Sequence, residues 1–337
     1  MTDEQTRGAA PTANTPSVPD PGVVVGERRQ LVNLAYRLLG SLAEAEDAVQ
    51  ETYARWYALS RRQQEAIASP GAWLTTVAGR VCLDLLGSAR ARRERYVGEW
   101  LPEPLPDRGE WVGGPVGGGP ADPADWVTVD ESVTMAFLVV LEAMTPAERV
   151  AFILHDVFRY PFPEVAGIVG RTPAACRQLA SSARRRIRAA QAPATPTGAQ
   201  AGLVRNFKQA WEARDIAALV GLLAPDATMT ADGGGLAGAA LRPVVGGERI
   251  ARYLVHFADR APGLTLLERT VNGRPGLVAR LGDRTATVAA FDLADGRITR
   301  IWAVRNPAKL RPWTDREAER EPEHEPAREP EREPHGR

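Results

Sequence analysis

Two stretches rich in proline and glycine interrupt this sequence, and they decide how it can fold. Residues 99–130 include Gly113-Gly-Pro-Val-Gly-Gly-Gly-Pro120, and residues 192–202 include Ala192-Pro-Ala-Thr-Pro-Thr-Gly198. Neither carries the periodicity of a helix or a strand, so both read as linkers. Three blocks remain, 28–98, 131–191 and 203–313, which the sequence presents as domains in series. The ends are of another kind. Residues 1–27 are rich in Pro, Thr, Gly and Ala, and 314–337 repeat Glu-Pro with Arg between; both compositions predict disorder. The sequence has no run of eighteen apolar residues, and its first residues lack the apolar segment of a secretory signal, so a cytoplasmic protein off the membrane is expected.

The first block is helical in pattern. Ser41-Leu-Ala-Glu44 fits a capping box, and Ala45, Val49, Thr52, Trp56 and Leu59 then follow one face at spacings of four and three. Asp47, Gln50, Glu51 and Arg55 fall mainly on the other faces. Ser69-Pro70 opens a further helix with the apolar stripe Trp73, Val77, Val81 and Leu85, and it ends in Arg90, Arg92, Arg93 and Arg95. Arginines neutralise phosphates and aromatics stack on unpaired bases, so a basic end on an aromatic-bearing helix fits DNA. A solvated helix end fits the same residues.

In the second block Thr145-Pro146-Ala-Glu148 combines an N-cap, a proline at the first helical position and the reciprocal glutamate. Val150, Ile153, Leu154 and Val157 form its apolar face. A short helix over Glu164–Val169 stops at Gly170, and Thr172-Pro173 caps the next, which buries Cys176, Ala180, Ala183 and Ile187. Arg177, Gln178, Ser181 and Arg184 point elsewhere. Two helices joined by a tight glycine turn, the second rich in Arg and Gln, form a helix-turn-helix pattern; these side chains pair with guanine and adenine edges. The formal net charge of zero conceals these local basic clusters. Cys82 and Cys176 have no metal-ligand spacing around them and read as buried thiols, so no metal and no cofactor are expected.

Taken together, these blocks resemble the extracytoplasmic-function (ECF) sigma factors of bacterial RNA polymerase. Asp47-Ala-Val-Gln-Glu-Thr-Tyr53 resembles the region-two signature that docks on the polymerase clamp. Pro70-Gly-Ala-Trp-Leu74 with Leu83-Asp84 resembles the segment that holds the −10 element. Thr145-Pro-Ala-Glu-Arg-Val-Ala-Phe152 with its helix-turn-helix resembles region four, which reads the −35 element. Tyr96-Val-Gly-Glu-Trp-Leu-Pro-Glu-Pro104, Asp232-Gly-Gly-Gly235 and Asn306-Pro-Ala-Lys-Leu310 are similar to three motifs of the SigJ-like subgroup, which has a fused SnoaL-like domain.

The resemblance implies a fold of two all-α sigma domains followed by an α+β cone. Its partners would be core RNA polymerase, through the clamp and flap, and promoter DNA. It places Asp47, Gln50 and Glu51 on polymerase, and Trp73, Arg80, Asp84, Arg90, Arg92 and Arg93 on the −10 side. It places Arg171, Thr172, Arg177, Gln178, Ser181, Arg184 and Arg185 on the −35 side. Contacts between domains, with a regulatory role, fall to Trp100, Leu101, Pro102, Glu103 and Pro104, to Asp232, Gly233, Gly234 and Gly235, and to Asn306, Pro307, Lys309 and Leu310.

The third block agrees with a cone on its own residues. Helices are predicted over 203–223 and 248–257, and strands over 227–230, 264–270, 277–280, 285–292 and 298–305, with turns at Asn272-Gly273, Gly282-Asp283 and Asp295-Gly296. Cones often hold a ligand, so an unidentified small molecule is kept as a candidate partner. The acid–base candidates are Asp226, Asp232, His256, Asp259 and Asp292; His256, between Val255 and Phe257, reads as packed, Asp226 as a turn residue, and no catalytic set is assigned. Two rival readings stay open: a helix-turn-helix activator with a sensing domain, and an isomerase or hydrolase carrying a helical fusion.

Overall fold

In a computed structural model the residues described are 21–93, 96–106, 133–190 and 197–313. The glycine-rich insert at 112–120 and the Glu-Pro tail lie outside them.

The first block is a helical bundle of α1 (Pro21–Leu39), α2 (Leu42–Tyr57), α3 (Arg61–Glu65) and α4 (Pro70–Arg93). The composition of 1–27 predicts disorder, yet α1 begins at Pro21: proline is a favoured first helical residue because it has a preset φ and no N–H to satisfy. Ser41 caps α2 by accepting from Glu44 N. Along α2, Ala45, Val49 and Thr52 are buried and Trp56 meets Trp73 of α4 edge to face, with ring centres 5.2 Å apart.

The second block contains α5 (Met135–Glu142), α6 (Pro146–Phe152), α7 (Phe162–Val169) and α8 (Pro173–Ala190). Both arms of the Thr145–Glu148 capping box are present. Gly170 closes α7 at φ +68°, and the Thr172 hydroxyl accepts from Ala175 N at the start of α8. After Phe152 the helix widens into a π turn, Ile153–Val157. There His155 Nδ1 bonds Tyr160 O at 2.9 Å, and its ring stacks on Phe162.

The third block places α9 (Thr197–Glu212), α10 (Ile216–Leu222) and α11 (Gly247–Asp259) against a sheet of β1 (Leu223–Asp232), β2 (Val244–Val245), β3 (Leu264–Val271), β4 (Arg274–Leu281), β5 (Arg284–Ala294) and β6 (Arg297–Val304). The expected linker over 192–202 therefore ends early, since α9 starts at Thr197. Strand order is β2-β1-β6-β5-β4-β3, with β1 parallel to β6 and the other pairs antiparallel. Every predicted strand and all three turns are present.

Three cores hold these elements. The first runs through both helical blocks: Leu34, Leu38, Val49, Leu74 and Cys82 share it with Leu141, Val150, Ile153, Ile168 and Cys176. Two blocks that read as separate domains are thus one packed body. The second lies between the cone's helices and the concave face of its sheet, around Phe207, Trp211, Met229 and Phe291. The third covers the convex face, where Val278, Val288, Ala290 and Trp302 meet Leu101, Met135, Leu310 and Trp313. Alternation along β5 explains the last two: Val288 and Ala290 face one way, Ala289 and Phe291 the other.

Candidate functional site

Residues 96–106 form a strap between the helical body and the convex face of the cone, and Leu101 to Pro106 are buried. Its anchor is Asp232, the last residue of β1, which is fully buried. One carboxylate oxygen accepts from Tyr96 Oη at 2.6 Å and Gly234 N at 3.0 Å; the other accepts from Leu101 N at 2.9 Å and Lys309 Nζ at 2.7 Å. Lys309 also donates to Leu101 O and sits 4.0 Å from the centre of the Trp100 ring. Asn306 Nδ2 donates to Tyr96 Oη at 2.8 Å. A buried charge needs both a counter-charge and hydrogen bonds, and here each has them. Gly234, at φ +62°, must be glycine: a Cβ there would lie 2.5 Å from Asn306 Nδ2. The three sequence motifs thus converge on one buried ion pair.

Further along the strap, Glu103 reaches the helical body. Its Oε2 accepts from Leu42 N at 2.8 Å and from Ser41 Oγ at 3.4 Å, and its own N–H donates to Gly40 O, so a carboxyl group from the strap completes the N-terminus of α2. Burial pushes the Glu103 carboxyl up to about 7; the Leu42 N–H, Lys309, Ser41 and Arg311 pull against that. Pro102 is buried, and Pro104 O accepts from Trp313 Nε1 at 2.9 Å, with Trp313 fully buried. Gly233 and Leu310 are buried beside this junction, whereas Gly235 and Pro307 are exposed.

The helical blocks meet each other directly. Arg149 of α6 is buried and donates to Leu38 O at 2.8 Å, to Leu141 O at 2.9 Å and to Glu142 Oε1 at 2.7 Å. Tyr160 Oη donates to Thr75 Oγ1 at 3.0 Å, and the Arg37 guanidinium lies over Phe158. A Cβ on Gly79 of α4 would meet Ile168 Cγ2 of α7 at 2.9 Å, so glycine permits the close approach.

Asp47, Gln50 and Glu51 are exposed on one side of α2, with Glu51 paired to Arg55. Of the residues assigned to the −10 side, Asp84 is exposed, Trp73 is half-buried against Trp56, and Arg80 Nη2 is bonded to Gly167 O of α7 at 2.9 Å. The backbone of α4 stays helical to Arg93; the side chains of Arg90, Arg92 and Arg93 lie outside the described residues. Of those assigned to the −35 side, Arg171, Arg177, Gln178 and Arg185 are exposed and Ser181 is half-buried. Thr172 is spent on its cap, and Arg184 is held by Asp156 at 2.6 and 3.2 Å. Arg177 also lies over the Phe162 ring.

The acid–base candidates are dispersed. Asp226 is exposed, Asp259 pairs with Arg214, and Asp292, half-buried and raised by burial, faces Arg300 at 3.6 Å. His256 is exposed rather than packed. It lies two residues past buried Leu254, about 200° around α11, which turns it outward. A cavity of about 150 Å³ beside Trp211, Glu212, Arg214, Gly263 and Leu264 lies clear of the strap. Cys82 and Cys176 are buried free thiols. Among the described residues, no helix is long and apolar enough to cross a membrane.

The sequence marks neither Trp313 nor Asn272 as an interdomain contact. A tryptophan past the last strand, just before a Glu-Pro tail, was the available signal for the first; Asn272 read only as a turn residue.

Residues 24–92 match the family Sigma-70 region 2, and residues 134–187 match Sigma-70, region 4. The chain is 39% identical over 306 residues to the ECF RNA polymerase sigma factor SigJ of Mycobacterium tuberculosis, a match covering 87% of this chain and 94% of that protein. It is 35% identical over 287 residues to a probable ECF RNA polymerase sigma factor, SigI, from the same species, covering 85% of this chain and 92% of that protein. The crystal structure of SigJ from M. tuberculosis aligns at a TM-score of 0.67 and 35% identity, covering 86% of this chain and 98% of that one.

Proposed function

The chain belongs to the ECF RNA polymerase sigma factors, and from that premise we propose that it is a promoter-specific initiation factor held closed by its own C-terminal cone. In this reading Asp47, Gln50 and Glu51 dock region two on the clamp of core polymerase, and region four engages the flap. Arg80, Asp84 and the basic end of α4 serve the −10 element. Arg177, Gln178 and Arg185 serve the −35 element. Cation-rich faces of this kind bind with an affinity that falls steeply with salt.

One observation carries the closed state: regions two and four share a single core, with Arg80 of α4 bonded to Gly167 of α7 at 2.9 Å. Elements centred at −10 and −35 lie about 25 base pairs apart, roughly 85 Å along B-DNA. Two regions in van der Waals contact cannot read both at once, so the factor must open to work. The cone supports closure through the strap: Asp232, Asn306 and Lys309 grip its first half, and Glu103 joins its second half to α2.

The test is run-off transcription with core polymerase, comparing the full chain with Lys309→Met and Asp232→Asn. Both substitutions remove the buried pair, and both are expected to change promoter-dependent transcription and core affinity at equal protein concentration. Wild-type transcription and core binding in both would make the cone a passenger.

A further inference from the structure

Asn272 stands at the tip of the β3–β4 hairpin, where Asn272 and Gly273 both have positive φ, +50° and +75°. A two-residue turn of this type requires no more than tolerance of that conformation, and Asn-Gly supplies it. Hairpin tips usually face water. Here Gly273 is exposed, but Asn272 is only 1% exposed, and its side-chain amide is used at both ends. Oδ1 accepts from Leu105 N at 3.0 Å. Nδ2 donates to Val133 O at 2.7 Å and to Tyr36 Oη at 3.1 Å. Tyr36 Oη in turn donates to Glu103 O at 2.7 Å. The Asn272 backbone N–H donates to Leu105 O at 2.8 Å, and Pro106 bridges to Val271.

Leu105 lies on the strap that follows region two, Val133 where the chain enters region four, and Tyr36 within α1. We propose that Asn272 is a clasp: one amide of the cone holds both ends of the linker joining the two regions, and the regions separate only when that amide lets go. The proposal rests on the restraining role of the cone argued above and adds its point of release. Asp232 and Lys309 hold the strap at Leu101, whereas Asn272 holds it at Leu105 and also takes Val133, so the clasp is a second point of grip. Its chemistry explains why asparagine is required. Glycine and aspartate both accept the turn, but glycine has no amide, and aspartate would set a carboxylate oxygen against the Val133 carbonyl with no hydrogen to share.

The experiment uses the full chain with dyes on Ala43→Cys of α2 and Ala189→Cys of α8, both exposed positions, while Cys82 and Cys176 are buried. Single-molecule energy transfer is compared for wild type, Asn272→Asp, Asn272→Gly and Lys309→Met. The two Asn272 variants are expected to raise the low-transfer population several-fold, with an unchanged tryptophan near-ultraviolet spectrum for the cone. Asn272→Gly retains the turn, so it decides the matter if the aspartate variant misfolds. A wild-type transfer distribution in Asn272→Gly overturns the clasp. If Lys309→Met opens the chain while Asn272→Gly does not, the clasp falls and the restraining cone stands; if neither opens it, both fall.

Discussion

Arg80 in α4 donates to the carbonyl oxygen of Gly167 in α7 at 2.9 Å. A side chain expected on promoter DNA is thereby occupied by the other DNA-binding block, and the residue before it, Gly79, is what lets the two helices approach. Gly79→Ala should therefore separate two effects. Alanine strengthens an isolated helix by up to about 1 kcal/mol. Its methyl also presses on Ile168 and drives α4 from α7. The expected outcome is an unfolding midpoint near that of wild type together with tighter core-polymerase binding. Unchanged or weaker core binding would count against a closed resting state.

The Asp232–Lys309 pair is buried, so leaving either charge alone is costly. Asp232→Asn and Lys309→Met are each expected to destabilise the chain by about 3–5 kcal/mol. Because the two share one interaction, the double variant should lose clearly less than the sum. Urea unfolding of the four proteins completes this cycle, and strict additivity would mean that the pair is not a unit.

Glu103 makes the strap sensitive to pH. Its carboxyl is raised to about 7 when packed, against about 4.3 in an unfolded chain. The packed strap therefore holds a proton that the free chain gives up. Stability from this group is full below about pH 4.3 and is lost as pH rises to about 7, at most ~1.4 kcal/mol per unit. Urea midpoints measured at pH 5, 6, 7 and 8 should fall for wild type relative to Glu103→Gln, then run level above about 7. Parallel curves would remove Glu103 as the titrating group.

On α8, substitutions should sort by what each side chain already holds. Arg177 and Gln178 are exposed, and alanine at either should cost about 1–3 kcal/mol in affinity for a −35 duplex, with relaxed preference over a scrambled one. Arg184 is committed to Asp156, so Arg184→Ala should lower the stability of region four before it touches sequence preference. Anisotropy titrations on both duplexes, beside thermal melts, distinguish the two patterns.

Asp47 and Glu51 are exposed one turn apart on α2, where a single partner surface can meet both. Reversing both to lysine should abolish capture of core polymerase and leave the circular dichroism spectrum intact. Wild-type capture would move the docking face elsewhere.

Local chemistry in this sequence is easily read, because caps and turns depend on near neighbours. Thr145 with Glu148, Gly170 with Thr172, and Asn272 with Gly273 all mark their elements before any fold is known. The burial stripes of α2 and α8 follow from their period. Contacts between blocks have no period to betray them. Arg149 follows Glu148 at the start of α6, reads as an ordinary charged first turn and gives no hint of Leu38 O, and Asn272 satisfies its turn so well that its amide attracts no notice. Asp232 reads as an acid–base candidate for the same reason: a carboxylate beside three glycines has the same local appearance whether it faces a substrate or a lysine far along the chain.

The parallel pairing of β1 with β6 sets Asp232 opposite Val304, so the Asp232 loop and the Asn306 segment leave the sheet at the same end. Residues far apart in sequence are in this way manufactured as one part. A cone transplanted onto another member of the family would carry the Asp232–Lys309 half of its grip complete, needing a recipient strap with Tyr96 and Trp100 in place. Recombination could then exchange the cone of such a factor in a single crossover ahead of α9, leaving the helical blocks untouched.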